Sequence, residues 1–381
     1  MTPKRVISAL FLSSSLLAPL ANADIKIGVV TSSTGPIALV GIPQKNTVAL
    51  LPTSAGGEKI SYISLDDGSD PTATVKAFKK LIDEEHVDAI IGPSGSGNAM
   101  SVIQFAAESG TPMLAPVGTA AVVLPMTEQK KWVFKTTQND DLIAEALVEQ
   151  MKSTGIKTIG LIGTADPYGE NWAKVMKDLT QKAGIQIVAS EQFQRQDTSM
   201  TGQSLKILMA SPDAVLIAAP GSSSVMPQTT LKDQGYSGKI YQTHGAALDA
   251  FLRLGGKAVE GTILAASSML VLDEVPNSPS KEIATKYITD YKKLYGETPA
   301  TFGGNVLDAG LLLQNAIPSA LKSGKPGSAE FRSALRDALE KTKEMPATQG
   351  VYNMTAEDHS GFDERGRVLI TVKNGKWVLL K

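Results

Sequence analysis

The sequence has no cysteine, and only three of its 381 residues are histidine: His86, His244 and His359. Without cysteine the chain has no disulfide bond, no thiolate ligand for a metal ion and no cysteine nucleophile. None of the three histidines has a partner at the spacing of a metal-binding pair. We therefore expect neither a metal site nor a cofactor, and we expect packed apolar cores to stabilise the fold.

The chain also lacks an excess of positive charge and, after residue 23, any long apolar run. It has 37 basic and 38 acidic residues, a formal net charge of −1. A surface that binds nucleic acid or an anionic membrane needs a positive excess, so we expect neither partner. No segment after residue 23 has 18 uninterrupted apolar residues. We therefore do not expect this part of the chain to be embedded in a membrane.

Catalytic motifs are missing as well. The sequence has no GxSxG nucleophile elbow, no GxxxxGK[ST] phosphate loop and no GxGxxG dinucleotide fingerprint. The acidic residues are scattered over the polar faces of predicted helices, which is typical of solvated surface. We therefore expect a protein that is not an enzyme.

The first 23 residues have the layout of a secretory signal peptide. Lys4 and Arg5 precede an apolar run from Ile7 to Leu20, which ends at the small-x-small site Ala21-Asn22-Ala23. The run is shorter than a membrane span, which disfavours the alternative of an uncleaved anchor. We expect the mature chain to begin at Asp24, with 35 basic and 38 acidic residues. Since no cysteine is available for a lipid anchor, we expect the mature protein to work in the periplasm.

Two series of alternating strands and helices follow. The first has predicted strands at 25–30, 60–65, 87–91 and 112–115, with helices at 72–85 and 98–109. The second has predicted helices at 142–153, 170–183, 201–210 and 225–234, with strands at 158–162, 185–191, 214–219 and 239–243. This alternation is typical of parallel sheets covered by helices on both faces.

The fold class is therefore predicted to be α/β, with two doubly wound, Rossmann-like lobes and a central cleft. The mature chain of about 358 residues is longer than a single hydrophobic core usually stabilises. In such sheets ligands lie at the carboxyl ends of the strands, so both lobes should direct those ends at the cleft. After a strand at 262–267, helices are predicted at 281–295, 304–321 and 328–342, and Asn374-Gly375 predicts the turn of a terminal hairpin.

Two segments of the first series have residues suited to binding an anion. Gly95 and Ser96 lie in the segment from Pro93 to Asn98, which joins a predicted strand to a predicted helix. Its glycines let a ligand approach the backbone, and serine offers a hydroxyl donor. The alternative is an ordinary glycine-rich turn with a capping residue. Thr119, after the strand at 112–115, is placed to donate to the same anion, or to cap a helix.

Two residues of the second series follow predicted strands in the same way. Tyr168 lies at a strand-to-helix junction, where its ring suits an apolar ligand and its hydroxyl a polar contact; capping and packing are the alternative. His244 follows the strand at 239–243 and should face the cleft, although an isolated histidine is more often structural.

Together these segments resemble the type I periplasmic solute-binding proteins of the branched-chain amino-acid (Leu/Ile/Val) class. The resemblance rests on IKIGVVTSSTGPIALVG, ISLDDGSDPTATVKAFKKLI, VDAIIGPSGSGNAM, APVGTAA, TADPYGENWA and GFDERG, and covers nearly the whole mature chain. It implies two lobes that close over a ligand. The N-terminal lobe would comprise 24–138 and 267–349, and the C-terminal lobe 139–266 and 350–381.

The resemblance also implies a set of ligand-binding residues. Ser96 matches the carboxylate-binding serine of the family, Thr119 its threonine donor and Val117 its backbone contact. Tyr168 and Phe302 match aromatic positions. Two neighbouring residues are added to these: Gly95, which precedes Ser96, and Ser222, which follows the position of a further family tyrosine. The implied ligand-binding residues are then Gly95, Ser96, Val117, Thr119, Tyr168, Ser222, His244 and Phe302.

Three positions depart from the family pattern. Where family members that bind amino acids have the glutamate that accepts the ligand ammonium, this chain has His244. Pro220 and Val40 replace two family tyrosines. A buried ammonium without an anionic partner is costly. The resemblance therefore implies a small carboxylate ligand without a free α-amine, an aromatic or keto acid, with a true branched-chain amino acid as the alternative.

The resemblance finally implies a place in transport. The chain would be a monomer that delivers its ligand to the permease and ATPase subunits of an ABC importer. The alternative is a sensor that presents its ligand to a membrane receptor.

Overall fold

The computed structural model describes residues 24–380, so the predicted signal peptide at 1–23 lies outside the described residues. The first sheet has the strand order β2-β3-β1-β4-β5-β6. All its neighbours pair in parallel except β2 and β3. Its strands are β1 (Ile25–Thr31), β2 (Ser54–Ala55), β3 (Glu58–Asp66), β4 (Ala89–Ile91), β5 (Met113–Ala115) and β6 (Val133–Lys135).

The second sheet begins with five parallel strands: β7 (Thr158–Thr164), β8 (Gln186–Phe193), β9 (Ala214–Ala218), β10 (Lys239–Gln242) and β11 (Ile263–Ala266). A separate hairpin follows, formed by β12 (Met345–Ala347) and β13 (Gly350–Tyr352). The terminal hairpin, β14 (Val368–Lys373) and β15 (Lys376–Leu379), joins the second sheet antiparallel to β11. The full order is β15-β14-β11-β10-β9-β7-β8. The predicted α/β class with two sheets is confirmed.

Helices cover both sheets, and most fall where the sequence predicts them. They are α1 (Ala38–Thr47), α2 (Pro71–Lys79), α3 (Ser96–Met100), α4 (Ile103–Ser109), α5 (Asp140–Ser153), α6 (Pro167–Ala183), α7 (Thr201–Ala210), α8 (Val225–Asp233), α9 (Asp249–Gly255), α10 (Pro279–Tyr295), α11 (Thr301–Ala320) and α12 (Ala329–Leu339). Among residues 24–380 the structure has no helix with the length and apolar character of a membrane span.

Two predicted helices differ from the structure. The single helix predicted at 98–109 is wrong, because α3 and α4 are separated at Ser101 and Val102. The Ser101 hydroxyl donates to the carbonyl of Asn98 at 2.7 Å, a local bond that competes with the helical pattern. The helix predicted at 72–85 is α2 followed by a π-helical turn at Lys80–Glu84.

The core of the first lobe combines early and late parts of the chain. Ile25 and Ile27 of β1 share one apolar cluster with Val306, Phe331 and other residues of α10 to α12. Tyr352 and Met354 belong to the same cluster. Because β13 packs with the first lobe, we propose that the last crossing between the lobes lies between 355 and 367 rather than at 350.

Candidate functional site

A cavity lies between the two lobes, at the carboxyl ends of their strands. Its volume is about 40 Å³. The residues that line it from the first lobe are Ile37, Val40, Ser94, Gly95, Ser96, Pro116, Val117, Gly118, Thr137 and Phe302. Those that line it from the second lobe are Tyr168, Arg195, Pro220, His244 and Gly245.

Strand topology explains why these residues converge. On the first lobe the loops after β4, β5 and β6 carry Ser94, Val117 and Thr137. On the second lobe the loops after β8 and β10 carry Arg195 and His244. Since parallel strands end at the same edge of a sheet, each lobe presents its loops to the other.

Six of the eight residues implied by the resemblance line this cavity, and two do not. Thr119 is buried, and its hydroxyl accepts a 3.2 Å hydrogen bond from Ala121 N, so it caps the turn at Ala120–Val122. Ser222 is exposed in the turn Gly221–Ser224. The six lining residues are Gly95, Ser96, Val117, Tyr168, His244 and Phe302.

Hydroxyl groups form the polar part of the first-lobe wall. Ser96 is the first residue of α3 and is 4% exposed. The Ser94 hydroxyl accepts a 2.9 Å hydrogen bond from Ser32 N, and the Thr137 hydroxyl accepts from the Asn305 amide. Such hydroxyls can donate to a carboxylate oxygen while they accept from the protein.

Gly95 fits this wall because it has no side chain. A Cβ at this position would lie 2.6 Å from Asn98 Oδ1 and 3.0 Å from Ile37 Cδ1. The Asn98 amide is itself fixed, since it donates to Asp67 Oδ2 at 3.0 Å and to the Thr74 hydroxyl at 2.7 Å. A side chain at position 95 would therefore have to displace Asn98 or Ile37, so the close packing of this wall requires glycine.

Apolar side chains form the remaining walls. Ile37, Val40 and Phe302 of the first lobe belong to one cluster with Ala246 and Leu248 of the second lobe. This cluster joins the two lobes beside the cavity. It offers apolar surface to a hydrocarbon or aromatic ligand body.

Asp166 organises the second-lobe wall. Its Oδ1 accepts from Tyr168 N at 3.0 Å and from Gly169 N at 3.2 Å, which caps α6. Its Oδ2 accepts from Arg195 Nε at 2.5 Å. The Arg195 side chain is 15% exposed. Its Nη1 is buried and has no hydrogen-bond partner among residues 24–380.

His244 lies in a buried polar group behind Gly118. Its Nε2 is 3.9 Å from Asp140 Oδ1, longer than a hydrogen bond. Asp140 Oδ2 accepts from Asn171 Nδ2 at 2.7 Å. Burial, aided by the charge of Lys135, lowers the pKa of His244 to about 3, so the imidazole is neutral at physiological pH.

Lys135 and Asp140 are ionisable groups buried between the lobes. Lys135 Nζ donates to Gly118 O and to Asn139 Oδ1, both at 2.6 Å. Burial lowers the pKa of Lys135 and raises the pKa of Asp140, while the attraction between the two opposes both shifts. Both groups are fully buried.

Several polar residues of the site were not among those predicted: Ser94, Lys135, Thr137, Asp140 and Arg195. Arg195 follows the strand predicted at 185–191, so the strand-end rule that singled out His244 would have found it as well. Lys135 and Asp140 carry no comparable signal. Among residues 24–380 no group of histidine, aspartate and glutamate side chains is arranged to hold a metal ion.

Residues 24–375 match the family model described as "Periplasmic binding protein". The chain belongs to the periplasmic binding protein family. It is 27% identical over 355 residues to a Leu/Ile/Val-binding protein, BraC3, of Rhizobium johnstonii, with 91% of each chain covered. The predicted type I, Leu/Ile/Val class of periplasmic binding proteins is thereby confirmed.

Solved structures of periplasmic binding proteins share the fold. An extracellular ligand-binding receptor from Rhodopseudomonas palustris HaA2 is 43% identical, with a TM-score of 0.92, and the match covers 94% of this chain and 100% of that one. An ABC-transporter solute-binding protein from R. palustris, in complex with benzoate, is 22% identical with a TM-score of 0.79, over 94% of this chain and 96% of that one.

Proposed function

We propose that this protein is the periplasmic binding component of an ABC importer and that its ligand is a small carboxylate without a free α-amine. One observation carries the choice of ligand. Arg195 lines the cavity, and the lining residues that the structure describes include no carboxylate. An ammonium buried against this wall would have no anionic partner, which is costly.

The side chains of the cavity wall suit such an acid. The hydroxyls of Ser94, Ser96 and Thr137 suit a carboxylate, and the apolar side chains of Val40 and Phe302 suit an aromatic or branched body. The benzoate complex from R. palustris supports the proposal only in that this fold accommodates an aromatic acid in one protein.

A branched-chain amino acid is the second candidate. The R. johnstonii relative is named for leucine, isoleucine and valine. The buried Asp140, whose Oδ1 has no hydrogen-bond partner within 24–380, lies close behind Gly118. It is a carboxyl group near the cavity, although it does not line it, and burial raises its pKa.

Calorimetric titration of the purified protein with benzoate, 4-methyl-2-oxopentanoate, leucine and valine distinguishes the two candidates. We expect at least one acid to bind and both amino acids to be rejected. Tight leucine or valine binding without binding of any acid would contradict the proposed ligand class.

Two serine variants test the carboxylate position. Ser96→Ala should weaken the bound acid by about 1–3 kcal/mol, because a buried acceptor would lose its donor. Ser222→Ala is the matched control, since Ser222 is exposed and outside the cavity. Equal affinities of wild type and Ser96→Ala would remove Ser96 from the site.

The importer role needs a test in cells. A strain without this gene should lose uptake of the labelled ligand, and the intact gene should restore it. Unchanged uptake together with a lost signalling response would favour a sensor. A molar mass equal to that of one chain, measured by light scattering, would support the proposed monomer.

A further inference from the structure

Asp67 connects three loops that follow neighbouring strands of the first sheet. The strands β3, β1 and β4 lie side by side in that sheet, and Asp67 comes directly after β3. The residue is 1% exposed and does not line the cavity. Its carboxyl group accepts four hydrogen bonds, which come from its own loop and α2, from the loop after β1 and from α3 after β4. One buried carboxyl group therefore fixes the three loops relative to one another.

The first oxygen of Asp67 holds the loop after β1. Its Oδ1 accepts from the Ser32 hydroxyl at 2.6 Å and from Ser69 N at 2.9 Å. The Ser69 hydroxyl donates to Thr34 O at 2.7 Å and accepts from Ile37 N at 3.3 Å. Because Ile37 lines the cavity, these bonds connect Asp67 to one segment of the first-lobe wall.

The second oxygen of Asp67 holds the start of α3. Its Oδ2 accepts from Asn98 Nδ2 at 3.0 Å and from the Thr74 hydroxyl at 2.9 Å. Asn98 lies two residues after Ser96, the first residue of α3. The bond to Asn98 therefore fixes the helical turn that carries Ser96.

The segment between Ser94 and Ser96 is attached to Asp67 on both sides. Ser32 N donates to the Ser94 hydroxyl at 2.9 Å, so the residue that bonds Asp67 through its side chain holds Ser94 through its backbone. Ser94, Gly95 and Ser96 all line the cavity. The polar part of the first-lobe wall thus depends on a residue that does not itself reach the cavity.

We infer that Asp67 is a positioning residue for the ligand, because its carboxyl group holds two loops of the first-lobe wall in the geometry that binds. Affinity is greater when the groups that meet a ligand are already held in place, since less conformational freedom is lost on binding. Hydrogen bonds behind a binding wall provide this support. The inference rests on the proposed function in one respect, which is the placement of the ligand carboxylate at the first-lobe wall.

Asp67→Asn tests the inference directly. Whichever way the new amide turns, its NH₂ group faces two donors instead of accepting from them. Wild type and variant are titrated with benzoate, 4-methyl-2-oxopentanoate and leucine. We expect every compound that the wild type binds to bind at least about tenfold more weakly to Asp67→Asn, because all three have a carboxylate for this wall.

Two further variants separate positioning from a general loss of stability. Asp88→Asn is the matched control, because Asp88 is also 1% exposed but accepts from Lys26 N and Gly327 N before β4 begins, at the edge of the sheet away from the cavity. It should lower the urea midpoint and leave ligand affinity within about twofold. The double variant Asp67→Asn with Asn98→Asp again pairs an amide with a carboxyl group, and its affinity should return to within about threefold of wild type.

Hydrogen exchange measures the order of the two loops without any ligand. In Asp67→Asn the amide hydrogens of segments 31–37 and 94–100 should exchange faster than in wild type, while those of β7 in the second lobe should not change. Ser32→Ala is a milder variant that removes one donor to Asp67 and leaves three. It should lower affinity about threefold, and it provides the test if Asp67→Asn does not fold.

The outcomes separate this inference from the proposed function. Wild-type affinity in Asp67→Asn overturns the inference and leaves the proposed carboxylate binder intact. Equal losses of affinity in Asp67→Asn and Asp88→Asn overturn it too, because lower stability alone then accounts for both. Rejection of both acids by the wild type overturns the proposed function. The inference is then decided by leucine affinity or, if leucine is also rejected, by hydrogen exchange in 31–37 and 94–100, where wild-type rates would overturn it.

Discussion

Lys135 Nζ donates a 2.6 Å hydrogen bond to the carbonyl of Gly118 and so fixes the backbone at a point where the two lobes touch. A Cβ on Gly118 would lie 2.8 Å from Asp140 Oδ1, 2.9 Å from His244 Nε2 and 3.0 Å from Tyr168 Cε2. The residue is thus a first-lobe glycine in close contact with three side chains of the second lobe.

Gly118→Ala should obstruct closure of the lobes more than it destabilises either of them. The added methyl group must displace side chains of the second lobe, which an open form avoids. We expect ligand affinity to fall at least about tenfold, measured by calorimetry, while the urea midpoint changes little. Gly202→Ala is the matched control, because a Cβ at Gly202 meets no atom within 4 Å. An unchanged affinity in Gly118→Ala would show that the second-lobe side chains move aside at little cost.

Lys135→Met should destabilise the protein by about 1–3 kcal/mol at pH 8, because the buried carbonyl of Gly118 loses its donor. The loss should be smaller at pH 5. Without the Lys135 charge the raised pKa of Asp140 rises further, and a group with a raised folded pKa contributes stability that is lost as pH increases.

Urea unfolding at the two pH values measures the Lys135 effect. Lys59→Met is the control, since the Lys59 side chain is 71% exposed and pairs with Asp24 at the surface. A loss equal to that of the control would contradict the structural role of Lys135.

Asp166→Ala should reduce both stability and ligand affinity. The change removes the cap of α6, which is worth about 0.5–2 kcal/mol, and the partner of Arg195. Asp70→Ala removes a similar cap, from α2, where Asp70 Oδ1 accepts from Ala73 N at 2.8 Å. We expect both variants to lower the unfolding free energy and only Asp166→Ala to weaken the ligand. Equal affinities of the two variants would argue against a positioning role for Asp166.

The pH dependence of stability should carry a contribution from His244. Its pKa is about 3 in the folded protein because of burial, against 6.5 ordinarily. Below pH 6.5 the unfolded chain therefore binds a proton that the folded chain does not, and stability decreases as pH falls towards 3. The slope from this one group is at most about 1.4 kcal/mol per pH unit.

His244→Gln should flatten this slope between pH 6.5 and 4, as measured by urea unfolding without ligand. His86→Asn is the control, since that side chain is exposed. Parallel stability curves for wild type and His244→Gln would mean that His244 is protonated in the folded protein.

Much of the fold was predictable because local patterns determine it. Short apolar runs mark the strands, and the Asn374-Gly375 turn has φ of +53° and +69°, the left-handed region that a two-residue hairpin requires. The break between α3 and α4 was not predictable, because it depends on which carbonyl the Ser101 hydroxyl contacts.

The site was predictable only in part, for a similar reason. Ser96 and His244 follow strands, a position that the sequence shows. Lys135 and Asp140 look like ordinary surface charges in the sequence, and only the packing of two lobes buries them. The second role of Asp166, as partner of Arg195 29 residues later, likewise arises from the tertiary fold.

The late segments in the first-lobe core have a consequence for the order of folding. The strands of the first sheet are all present by Lys135, yet their apolar cover comes from α10 to α12, as late as Leu339, and from Tyr352. The second sheet needs β14 and β15, which end at Leu379. A growing chain therefore cannot complete the first lobe until Tyr352 has been synthesised, or the second until Leu379 has, so neither lobe can finish folding early in synthesis.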